Sequence, residues 1–141
     1  MNFLLRHKPV LTYDVDLWID DAEENLRRAE VALGDLRAEW GATDDDWRPV
    51  AARPAGWLRT QGVFCLTSPH GAIDIFRTVR GLDDWHACDR RASNERTAAG
   101  VGYKGLADSD MLACQLALDE SVRNHERVRA LRDALKRSSG D

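Results

Sequence analysis

Cysteine is scarce in this chain. Cys65, Cys88 and Cys114 are the only three among 141 residues, and no CxxC or HxxxH spacing links them to the four histidines. An odd number of distant thiols suits reduced cysteines in a reducing compartment better than a disulfide framework. His86 and Cys88 form a lone HxC pair with no second pair of ligands, so a tetrahedral zinc site has no support. Long apolar runs are missing as well. The leading "MNFLLRHKPV" has three apolar residues before Arg6, His7 and Lys8, too few for a signal-peptide core, and no later stretch approaches a membrane span. The expectation is a soluble, cytoplasmic protein that does not engage a membrane. A surplus of basic charge is absent too: 20 Lys and Arg against 24 Asp and Glu leave a net charge of −4. Wholesale non-specific binding to nucleic acid is therefore not expected, although a local basic patch can survive inside an acidic total. Ser68 and Ser109 have no His/Asp arrangement around them, which leaves nucleophilic hydrolase chemistry without a basis.

What is present is an ordinary globular composition, 43% hydrophobic and 31% charged. A chain of this length forms one domain by the usual size scale, spanning 1–141 with a helical C-terminal part at about 106–137. From Tyr13 to Ile19 the residues alternate, with Val15, Leu17 and Ile19 on one side and Asp14, Asp16 and Trp18 on the other, the mark of a strand with one apolar face. Ala22, Leu26, Ala29, Leu33, Leu36 and Trp40 then step by four and three. They predict one helix from the Asp20/Asp21 capping boxes to Gly41. Residues 42–60, with two prolines and the triplet Asp44 to Asp46, read as an irregular connection. "GVFCLTS" and "AIDIF" flank the turn residues "PHG" and predict a hairpin. Asp83 or Asp84 is expected to cap a helix running through "WHACDRRASNER", "GVGYKG" to form a loop or short strand, and "SDMLACQLAL" to be helical. The tail places Val122, Val128, Leu131 and Leu135 on one helical side. This order of elements is an α+β arrangement, a mixed β-sheet with helices packed on one face.

The residues that carry chemistry are aspartates in strands, where Asp is otherwise depleted. Alternation sets Asp14 and Asp16 on one face, and Asp74 lies opposite the Ile73/Ile75 face of its own strand. If those strands are neighbours, three carboxylates converge. Like charges so close repel, and a divalent cation between them removes the conflict. Magnesium, a hard ion held by a few carboxylates, waters and substrate phosphates, meets that need. Arg77 follows Asp74 by three residues and offers a guanidinium fork suited to phosphate, although alternation assigns it to the Ile73/Ile75 side.

The segment "LTYDVDLWI", with Thr12, Asp14 and Asp16, resembles the T-x-D-[IV]-D-[LFI] segment of the nucleotidyltransferase superfamily that shares the DNA polymerase β palm. Within it the chain resembles the small bacterial minimal nucleotidyltransferases and the abortive-infection toxin group. A helix after the first catalytic strand, a later hairpin offering Asp74, and a helical tail follow in the family's order. The resemblance implies a nucleotidyltransferase-like fold in which Asp14, Asp16 and Asp74 are catalytic and bind Mg²⁺. Thr12 and Arg77 would stand on the nucleotide side. It further implies transfer of a nucleoside monophosphate from an NTP to an acceptor hydroxyl on a small molecule, RNA or protein. Two departures stand out: the G-[GS] pair that holds the triphosphate upstream of T-x-D-x-D is not found before Thr12, and Gln115 occupies a place where lysine is common. They raise the alternative of a non-catalytic, degenerate member of the fold, a toxin–antitoxin component or a dimerisation module that works as a homodimer.

Overall fold

The computed structural model describes residues 14–140; Thr12, expected on the nucleotide side, lies outside them. The described chain is α+β. It divides into two compact units, one holding residues 14–78 and the other 79–140. Each is built on its own terms.

The first unit is a mixed five-stranded sheet covered on one face by a helix. Its strands are β1 (Asp14–Trp18), β2 (Glu39–Trp40), β3 (Arg48–Pro49), β4 (Val63–Ser68) and β5 (Gly71–Phe76), and helix α1 spans Glu23–Asp35. The spatial order is β1-β5-β4-β2-β3. β1 runs parallel to β5, while β5/β4, β4/β2 and β2/β3 are antiparallel. The expected hairpin forms, with Pro69 and His70 as its turn. Ser68 Oγ accepts from the His70 amide at 3.1 Å and donates to the Gly71 carbonyl at 2.9 Å. Gly71 sits at φ +127°, a conformation open to a residue without Cβ.

Helix α1 ends five residues short of the sequence expectation. The Ala38 amide reaches back to the Leu33 carbonyl at 3.0 Å and the Arg37 amide to the Gly34 carbonyl at 2.9 Å, with Arg37 at φ +54°. This is a Schellman stop with arginine where glycine is usual, and Leu33 and Ala38 bury its hydrophobic contact. Holding Arg37 in the left-handed region costs about 1–2 kcal/mol. The cost is offset because the reversal turns Trp40 out of the helix and into β2, where it is buried. The expected capping boxes do not form either. Ala22 occupies the N-cap position without a side-chain bond, and Asp20 instead accepts weakly from the Ala22 amide at 3.3 Å.

The core of this unit joins Leu26 and Leu33 of α1 to Phe64, Leu66 and Ile75 of the sheet. Residues 42–60, read from sequence as a connection, supply three short 3-10 turns and much of this core. Val50, Trp57 and Leu58 are buried in it, and Trp40, Trp57 and Phe64 form a ring cluster with centroids 5.0–5.7 Å apart. Glu30, a half-buried glutamate in the middle of α1, accepts from the Gly56 and Leu58 amides at 3.0 Å each and so ties the last of those turns to the helix. Arg53 lies 4.3 Å over the Trp40 ring and donates to the Trp40 carbonyl and to Asp46.

The second unit contains α2 (Trp85–Arg91), the antiparallel pair β6 (Ser93–Arg96) and β7 (Gly102–Gly105), α3 (Asp108–Leu116) and α4 (His125–Ser138). Asp84 caps α2 through the Ala87 amide at 3.1 Å, as the sequence predicts. The helix stops at Arg91, however, and Ser93–Arg96 is strand where helix was expected. Ala92 leaves the helical region at φ −61°, ψ 141°, and the strand finds its partner in β7. Val128, Leu131 and Ala134 of α4 are buried, whereas Val122 precedes that helix in a 3-10 turn and is 65% exposed. Asn124 caps α4 by accepting from the Arg127 amide at 2.9 Å. Buried Asp110 is held by Arg91 at 2.7 Å, the pairing that a charged group at that depth requires.

Candidate metal centre

Register determines which side chains meet on the sheet. Asp16 pairs with Asp74 across β1/β5, and Cys65 pairs with Asp74 across β5/β4. Paired residues in neighbouring strands share a face, so Asp16, Asp74 and Cys65 form one row, with Asp14 two residues along β1 from Asp16. The row on the opposite face is Leu17, Ile75 and Phe64, of which Ile75 and Phe64 belong to the buried core. The apolar partners explain why the strands form where they do: burying Ile73, Ile75, Phe64 and Leu66 under α1 leaves the intervening carboxylates no other face.

The three carboxylates converge, with one oxygen of each of Asp14, Asp16 and Asp74 within 4.8 Å of the other two. Oxygens on opposite sides of a bound cation stand about 4 Å apart around Mg²⁺ and about 5 Å apart around Ca²⁺. The trio therefore has the dimensions and the hard donor chemistry of a divalent cation site, and these residues can hold a metal ion. Asp14 and Asp16 are exposed and Asp74 is half-buried, which leaves room for water or a ligand in the remaining coordination positions.

Cys65 was not singled out from sequence as part of this patch, although the two-residue hairpin turn fixes its pairing with Asp74. Its thiol is held above the ordinary cysteine range, first by burial and then by the charge and hydrogen bonding of Asp74, with Asp16 contributing further. Cys65 thus stands as a soft donor beside a trio of hard oxygens. Trp18 and Phe76 pair next to the acids on the same face and are half-buried, and the Trp18 indole donates to the Arg77 carbonyl at 3.3 Å.

Arg77, expected on the nucleotide side, is committed elsewhere. Its guanidinium forms a two-pronged pair with Asp21, with Nη2 at 2.9 Å from Oδ2, and donates to the Leu58 and Gln61 carbonyls at 3.2 and 3.3 Å. The Arg77 hydrogen bond is the main reason that the Asp21 carboxyl lies below the usual aspartate range. The pair joins the loop before α1 to the end of β5. It braces the strand that carries Asp74.

The triplet Asp44 to Asp46 takes no part in the site. Asp46 is paired with Arg53 at 2.9 Å and with Arg48. No protein-family model matches the chain, and no curated protein matches it in sequence.

Proposed function

We propose that the first unit is a metal-dependent nucleotidyltransferase centre: Asp14, Asp16 and Asp74 hold Mg²⁺, and the bound NTP gives up a nucleoside monophosphate to an acceptor hydroxyl. The observation that carries this proposal is the convergence of three strand carboxylates within 4.8 Å on one open face. The resemblance of "LTYDVDLWI" to the superfamily's T-x-D-x-D segment points the same way. Bound magnesium supplies charge neutralisation and alignment of the phosphates during in-line transfer. The residues of the chain supply the rest: the acids fix the cation, the Asp21–Arg77 pair braces β5, and the Trp18/Phe76 ledge offers an apolar surface for a nucleobase. Incubating the chain with an α-labelled NTP and Mg²⁺ or Mn²⁺ tests the proposal. Metal-dependent NTP binding and label transfer are expected, reduced at least a hundredfold in the Asp14→Asn/Asp16→Asn variant. Failure of the unmodified chain to bind NTP with either metal rules out catalysis.

One observation favours a second reading, a non-catalytic interaction protein built on the same fold. Arg77, the cation assigned to the nucleotide, is taken up by Asp21 and two backbone carbonyls. This reading expects no nucleotide binding and a homodimer of concentration-dependent mass. Label transfer at a rate abolished by Asp74→Asn eliminates it.

A further inference from the structure

The last helix carries a feature that the carboxylate site does not use. Within α4, five Lys and Arg stand against two acids, in a chain whose net charge is −4. Arg129, Arg132 and Lys136 follow one another at spacings of three and four, so they form a single line along the helix. All three are exposed, and among the described residues none of them forms an ion pair or a side-chain hydrogen bond. Two arginines elsewhere in this unit are engaged by contrast: Arg91 with Asp110, and Arg123 with Glu120 and with the Gln115, Leu116 and Leu118 carbonyls. An open groove of about 310 Å³ lies along the line, and among the described residues His125, Val128 and Asp133 line it together with the three cations.

We infer that this face of α4 binds the phosphodiester backbone of a nucleic-acid strand. The three cations span about 10 Å of helix. A nucleic-acid strand presents a regular line of phosphate charges, so a line of three cations can meet successive phosphates of one strand. Charge complementarity on a linear array selects this occupant. A membrane surface fits less well, because the apolar side of α4, Val128, Leu131 and Ala134, is already buried and cannot insert. Among the described residues of the groove there is no Phe, Tyr or Trp to stack on bases, so binding rests on the phosphates and is independent of sequence and sugar type.

The test is fluorescence anisotropy of the full chain with labelled 20-mer single-stranded RNA and DNA of one sequence, in EDTA, from 20 to 200 mM KCl. The expected slope of log K against log salt is about −2 for three released counterions, a roughly hundredfold weakening over that range, with RNA and DNA within about threefold of each other. The Arg129→Gln/Arg132→Gln/Lys136→Gln variant, its fold checked by circular dichroism, should bind at least tenfold more weakly at 20 mM KCl and lose most of the salt slope. Asp133→Asn should bind about twofold more tightly, which supports the inference even if the triple variant fails to fold. The Asp14→Asn/Asp16→Asn variant should bind the oligonucleotides as the unmodified chain does, which separates this inference from the proposed metal chemistry. Absence of binding at 20 mM KCl overturns the inference. Equal binding by a folded triple variant overturns it too. Vesicles containing phosphatidylserine that bind in preference to the oligonucleotides, or a change of oligomeric state as the sole effect of the triple variant, reassign the face to a membrane or a protein partner.

Discussion

Two groups of three aspartates have opposite fates. Asp44, Asp45 and Asp46 are consecutive, yet Asp46 is neutralised by Arg48 and Arg53 and serves to anchor Arg53 over Trp40. Asp14, Asp16 and Asp74 are separated by as many as 60 positions, yet strand register brings their oxygens within 4.8 Å of one another. Density of acids along a chain is thus a poor guide to a metal site. What matters is whether the backbone aims the carboxylates at one point and whether arginines reach them first.

That contrast can be broken most sharply at the site. Asp74→Asn should remove metal-dependent label transfer by at least a hundredfold while Asp44→Asn/Asp45→Asn leaves it unchanged, as measured by label incorporation under identical Mg²⁺. Next in size are the arginines. Arg53→Met removes three hydrogen bonds and a ring contact and should lower stability by about 2 kcal/mol in urea unfolding, without altering Mn²⁺ affinity. Arg77→Met should cost about 1–2 kcal/mol and, because it loosens the end of β5, also weaken Mn²⁺ binding a few-fold.

Acid unfolding sharpens the same comparison. The carboxyls of Asp21, Asp46 and Asp84 are all held below the ordinary value, the first two mainly by arginine hydrogen bonds and the third mainly by the Ala87 amide. Carboxyls depressed in the folded state contribute stability that is fully present above their unfolded value, near 3.9, and is lost as pH falls below it through the folded values. The loss of Tm between about pH 4 and pH 2 should therefore be shallower in Asp21→Asn than in the unmodified chain. The smallest effect concerns Cys65. In Asp74→Asn the pH profile of iodoacetamide alkylation should move to lower pH, because one of the causes that raise its thiol is removed while burial remains. Cys65 is the exposed cysteine, so it dominates the native-state reaction.

Much of the site was legible because a strand's period of two is short and strict. Alternation alone placed Asp14 and Asp16 together, and Val15 and Leu17 opposite them. The turn length would also have given Cys65, since a two-residue loop after Ser68 leaves Cys65 no partner but Asp74. What could not be read were events in which tertiary burial overrode a local pattern. The helical stripe continued through Leu36 and Trp40, but Arg37 accepts a left-handed backbone so that Trp40 can join Trp57 and Phe64. Asp21 looked like a helix cap, and Arg77 like a phosphate ligand. Each took the other instead, across 56 positions of sequence. Residues 42–60 showed no period because 3-10 turns have none long enough to see, although Val50, Trp57 and Leu58 are among the most buried residues of their unit. The strand after Arg91 was hidden by a helix signal that its first seven residues satisfied.

Register, and not local density, makes the candidate metal site. Manganese binding followed by electron paramagnetic resonance tests it most directly, using the unmodified chain, Asp74→Asn and Asp44→Asn/Asp45→Asn. The account predicts saturable Mn²⁺ binding that Asp74→Asn weakens at least tenfold and that the loop variant leaves unchanged. Equal Mn²⁺ affinity in the unmodified chain and Asp74→Asn would contradict it.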